Sequence, residues 1–318
     1  MYRSIIDFKW RKSEAHWLLL SKFLYPQCPN FSKDWEKVLG ESTKKAIKRF
    51  IKEGLIMLVN DLNVLMSHKY NINKLKVLLR KRKLIVSGRK DEIIKRLIQA
   101  DSNGMKKATA DLIILNCTQR GQKLVEQYLA LKKSNRVQVE QQVMEYLKKR
   151  KFKKACLIVA AYESNQVFPR GIGIDWKRYN PDQKIEDLKF IFSNKPNIMA
   201  NLRDEKLEVL RVAAAMMELW GENKAQKWLP AKFETGLPFD NDAAAMRMLS
   251  SVSYKDRIEN FRMCGFKYVE VFAAEDSCDA CKKLEGKIYK INEVPELPYE
   301  YCTHKKGCRC IVVVSNEN

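Results

Sequence analysis

Apolar residues recur three and four positions apart over most of the chain, the spacing of amphipathic helices. In KKAIKRFIKE, Ile47, Phe50 and Ile51 share one face while Lys44, Lys45, Lys48 and Arg49 cover the rest. Glu41-Ser42-Thr43 precede that run and Gly54 follows it, a capped start and a glycine stop. Two helical patterns, roughly 121–133 and 135–163, predict a helical hairpin; in the second, Val139, Val143, Tyr146 and Leu147, then Ala155, Ile158, Val159 and Tyr162, recur at helical spacing, with a break near Lys151-Phe152. The run LRDEKLEVLRVAAAMMELW predicts a further helix stopping at Gly221. Ala213–Ala215 and Ala243–Ala245 suggest closely packed helices, with Met216 and Met217 filling core gaps. Trp10, Trp17 and Trp35 read as core anchors of the first module. DSNGMKK (101–107) reads as a turn or short linker and FPRGIGIDW (168–176) as a loop. Near the C-terminus the pattern shortens to strands at Tyr268–Phe272, Lys287–Tyr289 and Ile311–Val314. The expected fold class is mainly α and multi-domain, ending in a small α+β knuckle.

Five modules follow: a basic helical module at 1–66, a compact helix–extended–helix unit at 67–102, a basic helical hairpin at 103–167, a helical domain of unassigned role at 168–253, and a cysteine-rich domain at 254–318. Charge separates them further. The 318 residues carry a net charge of +22, all of it in residues 1–160, while 161–318 balance to zero. A half so basic calls for a polyanion. Nucleic acid fits better than a membrane, because no run approaches the roughly 18 apolar residues of a spanning helix and the N-terminal stretch lacks a signal-peptide pattern.

The densest basic stretch, YNINKLKVLLRKRKLIVSGRKDEIIKRLIQAD, holds ten Lys and Arg against two acids over 74–96. Leu75, Leu78, Leu79 and Arg82 mark the first helix, with Lys76, Arg80 and Lys83 along another face; Leu84-Ile85-Val86 is an extended connector. Ser87-Gly88 opens a second helix, which buries Ile93, Ile94, Leu97 and Ile98. Arg89 and Lys90 stand in its first turn, where the helix dipole disfavours cations by several tenths of a kcal/mol each. A bound phosphate would reverse that cost, and Asp91 and Glu92 partly offset it.

The order Leu75-Lys76, Leu78, Leu79, Leu84, Val86-Ser87-Gly88, Lys90, Glu92, Ile94 and Arg96-Leu97 resembles the SAP domain, whose members usually have glycine where Lys83 stands. The resemblance implies duplex DNA binding, often at AT-rich sites, through Lys76, Arg80, Lys83, Ser87, Gly88, Arg89 and Lys90.

Of nine cysteines, five crowd into residues 278–310 as Cys278-x2-Cys281, then Cys302-x-His304-x3-Cys308-x-Cys310. Two such pairs can complete the tetrahedron of a structural zinc ion. The expected ligands are Cys278, Cys281, His304 and either Cys308 or Cys310, with Cys302 a spare able to replace His304. Reduced cysteines without metal remain the alternative, and disulfides are less expected in a reducing compartment. GFKYVEVFAAEDSCDACKKLEGKIY, with Pro295, Pro298 and HKKGCRCIVV, is similar to the C-terminal part of phage head-morphogenesis (minor head) proteins, through Cys278, Cys281, Leu284, Gly286, Lys287, Cys308, Arg309 and Cys310. It departs from them between His304 and Cys308 and in an insertion at 299–303. That similarity implies phage or prophage origin and phage structural partners, but no activity.

The chain lacks the phosphate-binding, dinucleotide and nucleophile-elbow motifs. Asp182, Glu186 and Asp187 read as a solvated helix face. An HNH-like nuclease would need a histidine base, and only His16, His68 and His304 exist, with eight residues after Cys310. The expectation is therefore a DNA-binding protein of the cytoplasm, associated with the nucleoid or, if phage-derived, with the virion, stabilised by zinc. A head-assembly accessory and an HNH-like nuclease are the alternatives.

Overall fold

A computed structural model describes residues 8–315. The first seven residues of the N-terminal module and the last three of the C-terminal one lie outside the described residues. The fold is mainly helical, with two small antiparallel sheets. The chain forms two compact units, 1–135 and 136–318.

In the first unit, helices α1 (Glu14–Ser21), α2 (Lys33–Leu39) and α3 (Thr43–Lys52) bury Leu19, Leu20, Phe23, Ala46, Ile47 and Phe50. Ser42 Oγ accepts the Lys45 N–H at the start of α3. At its end Gly54 turns left-handed (φ +67°) while the Leu55 N–H returns to the Phe50 carbonyl at 2.9 Å. Trp10 and Trp35 are buried as anchors. Trp10 meets Phe50 at 5.1 Å between ring centres, and half-buried Trp17 stacks on Tyr128. His16, one of the three histidines, is buried between Ser13 and Glu41, and Glu41 also receives Arg49 in a two-pronged bond at 2.7 and 2.9 Å.

A short ribbon also belongs to this unit: β1 (Ile56–Leu58) pairs antiparallel with a later strand, Leu115–Cys117, in the register Met57↔Asn116. Between its strands lie α4 (Leu62–Lys69), α5 (Ile72–Lys81), α6 (Lys90–Ala100) and α7 (Ser102–Thr109); the strand 115–117 is β2. The four helices share one core of Met66, Leu75, Leu79, Ile93, Ile94, Leu97 and Met105. The expected turn at 101–107 is thus a helix. Asp101 caps it through the Gly104 N–H at 2.7 Å and is itself held by Arg82 Nε at 3.1 Å. Two short helices bury too little surface to stand alone, and α4 and α7 supply the missing faces.

Helix α8 (Gln119–Lys148) is a single continuous helix, so the expected division between helices at 133–135 is absent: Lys133-Ser134-Asn135 continues the helix. It closes with Arg150 in the left-handed region (φ +56°), and the Lys151 N–H bonds back to the Tyr146 carbonyl at 2.8 Å. The break near Lys151-Phe152 is this closure. The guanidinium of Arg150 then grips Glu208 at 2.7 and 2.8 Å and lies 4.1 Å over the Phe192 ring centre.

The second unit continues with α9 (Phe152–Ser164), α10 (Asp182–Ser193), α11 (Asp204–Trp220) and α12 (Asn241–Met263). Ala213–Ala215 and Ala243–Ala245 are buried where α11 and α12 pack, and Met216 and Met217 are fully inside. Asp187 is not on a solvated face: it is buried and paired with Lys184 at 3.2 Å. Against this core lies a sheet of β3 (Tyr268–Phe272), β4 (Ile288–Lys290) and β5 (Ile311–Val314) in the order β4-β3-β5, with the short helix α13 (Asp279–Lys282) between β3 and β4. The three strands fall where the apolar pattern predicts them.

Candidate nucleic-acid interface and metal centre

Helix α5 starts at Asn71, whose side chain accepts the Lys74 N–H at 3.0 Å. It stops in a Schellman closure. The Lys83 N–H donates to the Arg80 carbonyl at 3.0 Å, the Leu84 N–H to the Leu79 carbonyl at 3.0 Å, and Leu84 folds onto the core. Lys83 takes the left-handed position at φ +56°. The closure expected of a glycine is therefore kept, with a lysine in its place.

The connector 84–88 is pinned from the second helix. Arg96 donates from Nη1 to the Ser87 carbonyl at 3.0 Å and to that of Ile85. This role of Arg96 is absent from the expected site, although its spacing from Glu92 placed it on the same helix face. Gly88 sits at φ +120°, and a Cβ there would stand 2.7 Å from Glu92 Oε2. That carboxylate is occupied: it accepts the Arg89 N–H at 2.9 Å and caps α6.

The expected cations divide into two groups. Arg80 and Lys83 are exposed, Lys76 is half-buried, and none of the three has an ion pair among the described residues. Arg89 is exposed and lies loosely against Asp91 and Glu92 at 3.5 and 3.3 Å. Lys90 does not converge with it. Its ammonium donates to the Ser67 carbonyl at 2.7 Å and so fastens α6 to the end of α4.

The cysteine cluster draws on three segments. Cys278 and Cys281 flank the first turn of α13, Cys302 follows the 295–299 loop, and Cys308 and Cys310 lead into β5. The sulfurs of Cys278, Cys281 and Cys302 form one group, those of Cys281, Cys308 and Cys310 another, each within 4.8 Å of one another. Cys278 and Cys302 are 3.8 Å apart, Cys281 and Cys308 4.0 Å. A disulfide needs about 2.05 Å. Two sulfurs on a zinc tetrahedron with bonds of about 2.3 Å lie about 3.8 Å apart, so the cluster fits a thiolate-bound divalent ion.

His304 is not brought into this group. Its Nδ1 accepts the Lys306 N–H at 3.1 Å, and its Nε2 faces Arg309 at 3.4 Å and Asp276 at 3.8 Å. Cys302, the expected spare, stands where His304 was expected.

The thiols differ in acidity. Burial opposes ionisation of Cys278, but the Cys281 and Thr303 amides and the Thr303 hydroxyl bring it down to about 6. Burial pushes Cys281 up to about 12, and the neighbouring Cys308 sulfur adds to this. Hydrogen bonds from Cys302 and Cys310 draw the pKa of Cys308 down, while that same bonding and burial push those of Cys302 and Cys310 up. Sulfurs so close cannot all ionise against one another, and a coordinated cation removes that conflict because a coordinating thiol is deprotonated outright.

No described helix is long and apolar enough to cross a membrane. No curated protein and no solved structure matches the chain. Residues 66–102 match the SAP domain, the segment in which Lys83, Gly88 and the pinned connector shape a basic helix–extended–helix unit suited to nucleic acid.

Proposed function

We propose that this protein binds duplex DNA through its SAP domain and that zinc holds its C-terminal sheet together. The DNA reading is carried by the SAP match together with the exposed Arg80 and Lys83, which form no ion pair among the described residues, at the end of the first SAP helix. Phosphates reward such cations by releasing counterions, and Arg89 joins them by leaving the weak hold of Asp91 and Glu92. A fluorescence-anisotropy titration of the full chain with duplex DNA at several salt concentrations tests the proposal. Low-micromolar or tighter binding that weakens steeply with salt is expected; salt-independent or undetectable binding overturns it.

The zinc reading rests on the sulfur spacing, and Cys278, Cys281, Cys302 and Cys308 are the preferred ligands, with Cys310 beside them. Such an ion crosslinks α13 to the start of β5 and supplies folding free energy to a sheet of three short strands. A head-assembly role draws support from the cysteine spacing alone, and recovery of the protein in virions is its test. For an HNH-like nuclease, His304 lies near Asp276 and outside the sulfur group; cleavage of DNA that depends on Mg²⁺ or Mn²⁺ would be required.

A further inference from the structure

A cavity of about 310 Å³ lies between one face of α12 and the chain that carries the last two cysteines. Met246, Ser250, Ser253 and Arg257 recur along α12 at three- and four-residue steps and form its floor, while Leu297 and residues 308–312 form the facing wall. Three arginines, Arg247, Arg257 and Arg309, line it, and no aspartate or glutamate does.

Arg247 is the decisive residue. It is only 8% exposed, it forms no ion pair or hydrogen bond with a described residue, and its Nε is buried without a partner. A guanidinium does not lose its proton in a protein. Burial opposes its charge and the Cys308, Cys302 and Cys310 sulfurs nearby favour it, but none of them hydrogen-bonds it, and a buried charge with donors left unsatisfied is costly. The aliphatic stem of Arg247 packs closely on one glycine. Gly307, at φ +70°, lies so close that a Cβ there would approach Arg247 Cγ and Cδ at 3.0 Å. The neighbouring arginines are anchored without filling the cavity with negative charge. Arg257 donates to the Val312 carbonyl at 3.2 Å, while Arg309 reaches outward to Asp276 and leaves its own Nε buried and unpaired.

We propose that this cavity binds a small organic oxyanion, a phosphate monoester or carboxylate on an apolar body, received by Arg247 with Arg257 and Arg309 beside it. The arginines and the lack of acids set the sign of the ligand. Met246, Leu249, Leu297 and Val312 set its apolar part, and the volume lies at the small end of ligand pockets. The competing account is that Arg247 only neutralises the nearby cysteine sulfurs, and the experiment separates the two.

The full chain, with its metal content measured, is titrated calorimetrically with inorganic phosphate, thymidine 5′-monophosphate and benzoate. Saturable binding of the monophosphate or of benzoate, tighter than that of inorganic phosphate, is expected; which of the two binds identifies the head group. Arg247→Gln should weaken that binding by about ten- to a hundredfold, the value of a hydrogen bond to a charged group, with metal content unchanged. Should Arg247→Gln fail to fold, Arg257→Gln carries the same test with a smaller loss. No saturable binding of any probe, or binding that survives the substitution while bound metal is lost, overturns the proposal.

Discussion

The amide of Lys83 donates to the Arg80 carbonyl at 3.0 Å, and this bond sets both residues at the exposed end of the first SAP helix. It also forces Lys83 into the left-handed region, which costs an L-residue about 1–2 kcal/mol. Lys83→Gly should therefore raise the stability of the SAP unit by about 1 kcal/mol, after the entropy cost of glycine is subtracted. The same change should reduce the slope of log affinity against log salt by about 0.9 if Lys83 touches a phosphate. Denaturant unfolding and a salt titration read the two effects separately, and a variant that gains stability with an unchanged slope would remove Lys83 from the interface.

Arg89 and Lys90 are adjacent in sequence and should respond differently. Arg89→Gln should lower the salt slope by about one unit and leave stability nearly unchanged, because its ion pairs are exposed. Lys90→Gln should destabilise the unit by about 1–2 kcal/mol through loss of the bond to Ser67. Equal effects of the two on DNA binding would show that Lys90 leaves Ser67 to meet the phosphate.

Gly88→Ala should destabilise the SAP unit by about 1–2 kcal/mol, since the new methyl group meets the Glu92 carboxylate at a left-handed position. Amide exchange at Arg89, whose N–H caps onto Glu92, is the local readout: protection there should fall together with stability.

For the metal, elemental analysis of protein purified without chelator should find one zinc per chain. Cys302→Ser should release it and unfold the C-terminal sheet, with an effect on the order of several kcal/mol, whereas His304→Ala should retain it. Retention by Cys302→Ser with loss by His304→Ala would restore the histidine to the ligand set.

Acid should weaken the second unit through Glu140. This carboxylate is buried and accepts from Arg136 at 2.8 Å, Lys227 at 2.9 Å and Trp228 at 3.2 Å. Burial opposes its ionisation, but the bonds from Arg136 and Lys227 prevail and hold its pKa below the ordinary glutamate value. The stabilisation is thus full above that ordinary value and is lost as pH falls through the lowered one. Glu140→Gln should cost about 2 kcal/mol at neutral pH and flatten the acid limb of the stability curve; an acid limb identical to that of the parent would assign the effect elsewhere.

What the sequence revealed was what repeats locally. Leu75, Leu79, Ile93 and Leu97 announce their burial by spacing, and Tyr268–Phe272 and Ile311–Val314 announce strands by continuity. Helix α7 was hidden because Ser102-Asn103-Gly104 has turn composition, and only the Asp101 cap and the shared core make it helical. The ribbon β1–β2 joins three-residue strands some 60 positions apart, with no local trace of the pairing. A separation of 23 residues likewise hid the bond from Lys90 to Ser67. At the cysteines, Cys278 and Cys281 were legible from their turn spacing. Cys302 was legible as a candidate in place of His304, but that it and not the histidine lies with the other sulfurs was not, because it depends on the path of the irregular segment 299–303.

The left-handed closures at Lys83 and Arg150 act as an internal comparison. Both end a helix with the same pair of backbone bonds and the same φ of +56°, and both place a cation where glycine would sit without strain. At Arg150 the fold offsets the strain on the spot, through Glu208 and the Phe192 ring. At Lys83 no described residue does so. The second unit therefore ties its strained cation into its own architecture, whereas the SAP domain leaves one untied at its surface, so that the lysine head is free to move while its backbone is not.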